Sequence, residues 1–278
     1  MFQGRSLLIA TKHGKEKVVA PIFESGLGVT CYTSSQLDTD IFGTFSGELS
    51  RKSSPLETAR AKCLWAMHQT NVDLVLSSEG SFGAHPTLFF AHADEEWLML
   101  IDKKNDIESY VREISLETNF AASTINNDEE LIAFAEKSLF PEHGLVVKDQ
   151  CDSPSRITKG IVQWEELYEE VHFYFRQGKN CYVETDMRAH MNPTRMKVIQ
   201  KAGESLLQKI RSTCPRCQTP GFGVVKVHSG LPCEWCKCPT NSTLSHVYEC
   251  QKCHFQVEKK FPHQKTHESP EFCNYCNP

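Results

Sequence analysis

The chain has 278 residues, 40% of them hydrophobic and 23% charged, with a net charge of -5 at neutral pH. That length can bury one large or two modest cores, and the acidic balance gives no general reason to expect nucleic acid or an anionic membrane as partner. No apolar run approaches the roughly 18 residues of a membrane span, and "LLIA" is too short for a secretory signal, so the expected compartment is cytoplasmic.

Residues 6–10 predict a strand, and Lys15 to Glu24 predict a helix with Val18, Val19, Ile22 and Phe23 on one face. "GLGVTCYT" reads as a second strand. The Ser-, Gly- and Asp-rich segment from Ser34 to Ser54 reads as a long ordered loop, either a lid or an acidic cluster through Asp38 and Asp40. "SPLETARAKCLWAM" predicts a helix, with Ser54 as N-cap, Pro55 at the first helical position and a buried stripe of Leu56, Ala59, Cys63 and Met67. "VDLVLSSEG" predicts a buried strand that runs into a polar turn, and "EEWLMLID" a further strand. Helices are expected around 106–117 and 128–138, then a strand at "HGLVVK" and a helix with Leu167, Val171 and Phe175 at four-residue spacing. "NCYVET" predicts a strand. The helix from Pro193 to Arg211 would bury Ile199, Ala202, Leu206 and Ile210. Alternating strands and helices give an α/β body over residues 1–211. Beyond it, 212–278 change to a Cys-, Pro- and His-rich composition and form a second domain.

Cysteine is the compositional anomaly. Eight of the 13 form four C-x-x-C pairs: Cys214/Cys217, Cys233/Cys236, Cys250/Cys253 and Cys273/Cys276. Each pair can aim two thiolates at one tetrahedral ion, so four pairs predict two closed, structural Zn²⁺ sites. Sequential pairing joins neighbouring pairs. Nested pairing joins the middle two as a zinc ribbon and the first to the last, and is slightly favoured. Cys238 is left over. The module lacks a basic face, so a protein is the expected macromolecular partner rather than nucleic acid.

Three stretches of the body invite a functional reading. In "IATKHGKEK" a strand, a glycine-containing turn and a helix start would surround an anion with backbone N–H groups and with Lys12, Lys15 and Lys17. "SSEGSFG" places Glu79 at a strand end, where a carboxylate serves as metal ligand or general base. "ETDMRAHMNPTR" packs Glu184, Asp186, Arg188 and His190 before a helix that Asn192 caps. Arg188 and Arg195 could clamp phosphate, Asp186 or Glu184 could hold a divalent cation, or His190 could move a proton. The alternatives are a solvated turn, a braced turn and an internal salt-bridge network.

Over about residues 6–110, "IATKHGKEK", "SPLETARAKC" and "SSEGSFG" resemble the inosine triphosphate pyrophosphatase superfamily, which includes the Maf-type nucleotide pyrophosphatases. The resemblance implies a two-lobed, mixed-sheet α/β fold, phosphate binding by Thr11 and Lys15, and Mg²⁺ or water handling by Glu79. His13 stands where that family has Asn. The whole chain also resembles an uncharacterised bacterial family with four C-x-x-C pairs at its end. The combined expectation is a Mg²⁺-dependent nucleotide (pyro)phosphohydrolase. Glu79, Asp186 and His190 would be its catalytic residues, and Thr11, Lys12, His13, Lys15, Arg188, Asn192 and Arg195 would bind a nucleotide-like phosphorylated substrate. The alternative is a non-catalytic anion-binding protein whose zinc module contacts a partner.

Overall fold

The computed structural model describes residues 1–42, 53–85, 88 and 90–278; the rest of the Ser34–Ser54 loop lies outside the described residues. The chain divides into two compact units, Met1–Asp106 with Tyr110–Leu206, and Ile107–Ser109 with Leu207–Pro278.

The first half builds β1 (Ser6–Ala10), α1 (Glu16–Leu27), β2 (Thr30–Tyr32), α2 (Pro55–Thr70), β3 (Leu74–Ala84), β4 (His92–Asp102) and β5 (Ile107–Ser115). Their sheet has the order β2-β1-β3-β4-β5. β1 runs parallel to β2 and β3, while β3 and β4 pair antiparallel over eleven residues. Side-chain alternation assigns the faces. Leu8, Ala10, Val75, Met99 and Ile101 pack on Ala59, Cys63 and Met67 of α2. On the other face, the Cβ that Gly203 lacks would touch Ile22 of α1 and Leu98 of β4. α2 begins with a complete capping box: Ser54 accepts from the Glu57 N–H, and Glu57 accepts from the Ser54 N–H.

The chain continues with β6 (Ala122–Ile125), α3 (Asp128–Lys137), β7 (Leu145–Lys148), β8 (Ile157–Ile161), α4 (Trp164–Phe175), β9 (Cys181–Thr185) and α5 (Pro193–Arg211). A second, fully antiparallel sheet has the order β6-β9-β7-β8. Leu131, Ala135, Leu167 and Val171 of α3 and α4 close its core over Leu145, Val147, Ile161 and Val183. α5 buries Ile199, Ala202, Leu206 and Ile210, as its periodicity requires. In the second unit β10 (Gly223–Ser229), β11 (Thr243–Glu249) and β12 (Gln256–Lys260) form an antiparallel sheet. Phe222, Tyr248, Phe255 and Val257 pack around buried Cys214 and Cys250.

Two expectations are corrected. The helix over 106–117 is the strand β5, in which Ile107 and Ser109 are buried while Tyr110 is exposed; its Ile, Tyr and Val favour pairing with the sheet. "SSEGSFG" is no turn, because β3 continues through it, held by its eleven-residue partner β4. The strands β6 and β8 are additional to those read from the sequence.

Candidate functional site

The connection from β1 to α1 turns sharply: His13 and Gly14 both have positive φ, 66° and 76°. That turn lays the His13 ring on the His190 ring, with centroids 5.2 Å apart and planes 19° from parallel. The two sequence segments singled out independently, Thr11–Lys15 and Asp186–Asn192, therefore meet. Burial pulls the His13 imidazole down to about 4, with His190, Arg188 and Lys15 acting in the same direction against Asp40. His190 is also held below its usual value, by burial and then by Arg188. Both rings are thus neutral at pH 7, able to offer one N–H and one lone pair each.

The cations around the stacked rings already have counter-charges. Lys12 bonds Asp38 at 2.5 Å and Asp40 at 2.8 Å, which raises its pKa. Arg188 forks onto Asp186, with Nη2 2.6 Å and Nε 3.0 Å from its oxygens. The Thr11 hydroxyl donates to the Lys12 carbonyl at 3.3 Å. Asn192 caps α5, accepting from the Arg195 N–H at 2.9 Å, and its amide donates to Asn119 at 2.8 Å. These contacts fix the Asp186–Asn192 turn in place.

Beneath the turn lies a buried chain of charge. Lys15 donates to the Ser78 hydroxyl at 2.9 Å and stands 3.5 Å from Glu96. Glu96 in turn accepts from Arg195 Nε at 2.6 Å, and Arg195 Nη1 donates to the Met187 carbonyl. Arg195 is fully buried; it braces the Asp186–Asn192 turn from below, so the structure places it behind the stacked rings. Gly80 makes room for it: a Cβ there would lie 2.3 Å from Arg195 and 2.5 Å from Glu96. Burial would raise Glu96, but Arg195 and Lys15 outweigh it and hold it below the usual carboxylate range. Burial lowers Lys15 to about 8, helped by Arg195 and opposed by Glu96. Asp94, two residues before Glu96 on the same face of β4, is pushed up to about 8 by burial and then by Glu96. Its Oδ1 has no hydrogen-bond partner.

Glu79 stands apart. It pairs across the sheet with Trp97, whereas Gly80 pairs with Glu96; adjacent strand residues point to opposite faces. Glu79 accordingly faces α2, where it accepts from the Lys62 ammonium, while Lys15, Glu96 and Arg195 occupy the other face. Asp94 and Glu96 were missed in the sequence. Their signal was the alternation in "ADEEWLML", which sets two acids on the same strand face as Leu98 and Leu100.

Among the described residues, the groups of three or more His, Cys, Asp or Glu placed to share an ion are two four-cysteine clusters. One comprises Cys214, Cys217, Cys250 and Cys253; the other comprises Cys233, Cys236, Cys273 and Cys276. The pairing is interleaved, first with third and second with fourth, which corrects both the nested and the sequential schemes. Sulfur–sulfur separations of 3.5, 3.6 and 3.8 Å match the edge of a tetrahedron with metal–sulfur bonds of about 2.3 Å. One cysteine of each pair is buried, and each site is closed by four thiols, a donor set that fits a structural Zn²⁺. No carboxylate group of this kind occurs among the described residues to support Mg²⁺.

Fold and sites together define an α/β protein with mixed sheets and a C-terminal module of two four-cysteine sites. The chain belongs to a family described as a domain of unknown function, DUF6671, whose model matches residues 62–278. That family names no activity and no link to the inosine triphosphate pyrophosphatases. No curated protein matches the chain. Among solved structures it is similar to the crystal structure of protein VC0702 from Vibrio cholerae, at 11% identity and a TM-score of 0.35, covering 75% of this chain and 96% of that one. Among the described residues, no helix is long and apolar enough to cross a membrane.

Proposed function

We propose that the α/β body binds a phosphorylated, nucleotide-like small molecule where Thr11–Lys15 meets Asp186–Asn192, while the cysteine module holds two structural zinc ions. The observation that carries this reading is the stack of His13 on His190 at the start of α1. Two neutral imidazoles can donate to phosphate oxygens at the positive end of α1, and Lys12, Lys15 and Arg188 set a positive field that their carboxylate partners moderate. A planar base could extend the stack. Exposed Trp235, Phe272 and Tyr275 beside the second cysteine site are the surface by which that module would contact a protein partner.

Titration of the metal-loaded protein with ATP and with pyrophosphate tests the reading. His190→Ala and Arg188→Gln should each weaken binding about tenfold. Absence of binding at millimolar ligand, or affinities unchanged in both variants, would refute it.

A second reading, hydrolysis of a phosphoanhydride, rests on the buried cluster of Lys15, Asp94 and Glu96, in which Lys15 stands 3.5 Å from Glu96 and burial shifts Lys15 down and Asp94 up toward each other, both to about 8. Such convergence is a mark of proton-transfer sites. In this reading Asp186 would need to exchange Arg188 for Mg²⁺, and Glu79, held by Lys62 on the opposite face of the sheet, would take no part. Nucleotide turnover that disappears in Asp94→Asn but persists in binding would favour it.

A further inference from the structure

A second cleft, independent of the site proposed above, lies between the β7–β8 connection and the C-terminal end of α4. It is a cleft open to solvent on one side, with a volume of about 580 Å³, within the usual range for small-molecule sites. Tyr174 forms part of its wall and is 4% exposed. The Tyr174 hydroxyl is buried there without a hydrogen-bond partner. A buried phenol normally finds one, so a missing acceptor is the first sign of a ligand.

The neighbouring groups point to the same chemistry. The Arg156 guanidinium carbon sits over the Phe173 ring, 3.9 Å from its centroid, and the group is steered by Glu170 through Nη2 alone, at 2.8 and 3.1 Å. Nε and Nη1 are left for another acceptor. Asp149, the one acid on the lining, is already occupied: it accepts from the Ser155 N–H and hydroxyl and from the Arg156 N–H. Among the described residues, the Lys179 ammonium and the Asn180 side-chain amide, also on the lining, have no hydrogen-bond or ion-pair partner. The helix end does not oppose an anion strongly, because the N–H groups of Gln177, Gly178 and Lys179 cap the carbonyls of Tyr174 and Phe175. The open charged groups of the cleft are therefore cationic, Arg156 and Lys179, with amide and phenol N–H and O–H donors beside them, and a stacked, pre-oriented arginine is suited to a planar or forked oxyanion.

We infer that this cleft binds the carboxylate or phosphate group of a small molecule, with Arg156, Lys179 and Asn180 donating from its rim and Tyr174 from its wall. The test uses the full-length, metal-loaded, ¹⁵N-labelled protein, titrated separately with inorganic phosphate and with acetate. The readout is the amide resonances of Ser155, Lys179 and Asn180. At least one anion should give saturable shifts there, and Tyr174→Phe and Lys179→Ala should each weaken them fivefold or more. Phosphate or acetate alone identifies the group recognised. Tyr174→Phe should also leave the thermal midpoint of the unliganded protein unchanged or raised, since its hydroxyl bonds nothing in the chain. No saturable shift with either anion, shifts that persist unchanged in both variants, or a midpoint lowered by Tyr174→Phe would each overturn the assignment. Because the resonances of Gly14 and His190 report the first site separately, failure there would not be mistaken for failure here.

Discussion

Replacing Gly80 by alanine places a methyl group where no methyl group fits. The new Cβ would stand 2.3 Å from Arg195 Nη2, 2.5 Å from Glu96 Oε1 and 2.9 Å from the Glu96 carboxyl carbon. Ends of long side chains usually yield to such a contact, but these two are fully buried and tied to each other at 2.6 Å. Moving the guanidinium away separates two charges with no water to receive them, and breaking a buried pair costs about 3–5 kcal/mol. For a body of this size that corresponds to a fall in Tm of roughly 10 °C. Gly83, three residues along the same strand, supplies the control, since a Cβ there would meet nothing within 4 Å. Gly83→Ala should be neutral or gain up to about 1 kcal/mol through reduced freedom of the unfolded chain. Urea unfolding of both variants, followed by circular dichroism with zinc present, measures the difference. A Gly80→Ala protein within 1 kcal/mol of wild type, or no less stable than Gly83→Ala, would show that the Arg195–Glu96 pair is not held against the strand as described.

Other consequences are equally direct. Asp94 binds its proton more tightly folded than unfolded, about 8 against an ordinary 3.8. Its contribution is therefore complete below pH 3.8 and is lost as pH rises through about 8, at up to about 1.4 kcal/mol per unit. Between pH 5 and 7.5 the wild type should lose roughly 2–3 kcal/mol more stability than Asp94→Asn, as read from urea midpoints; parallel pH profiles would contradict the burial of that carboxyl. The interleaved pairing predicts that a protein with Cys214, Cys217, Cys250 and Cys253 all changed to serine still binds up to one zinc per chain. Nested or sequential pairing predicts none, and metal analysis after gel filtration separates the cases. Chelation of both ions should remove the β10–β12 signal from hydrogen-exchange protection, because the described core of that module is a few aromatic side chains packed around two of its cysteines.

Local rules settled much of this chain in advance. Ser54, Pro55 and Glu57 start α2 because a cap acts within one helical turn, and the apolar period of Ile199, Ala202, Leu206 and Ile210 sets the buried face of α5 whatever lies opposite. Four C-x-x-C pairs announce two metal sites by their donor chemistry alone. Tertiary structure decided the partners. Cys217 meets Cys250 and Cys236 meets Cys273, 33 and 37 positions apart, although shorter loops were available, because strand pairing and packing outweigh the small entropy difference between loop lengths. It also decided that Glu79 and Lys15 serve different faces of one sheet. Sequence proximity to a motif says nothing about side until the register of a strand is fixed, and β3 gained its register from β4. The encounter of His13 with His190, 177 positions later in the chain, depends on two turns whose approach is set by the Lys15–Glu96–Arg195 chain beneath them. No local pattern encodes that contact, because each residue in it is satisfied only by groups from other elements.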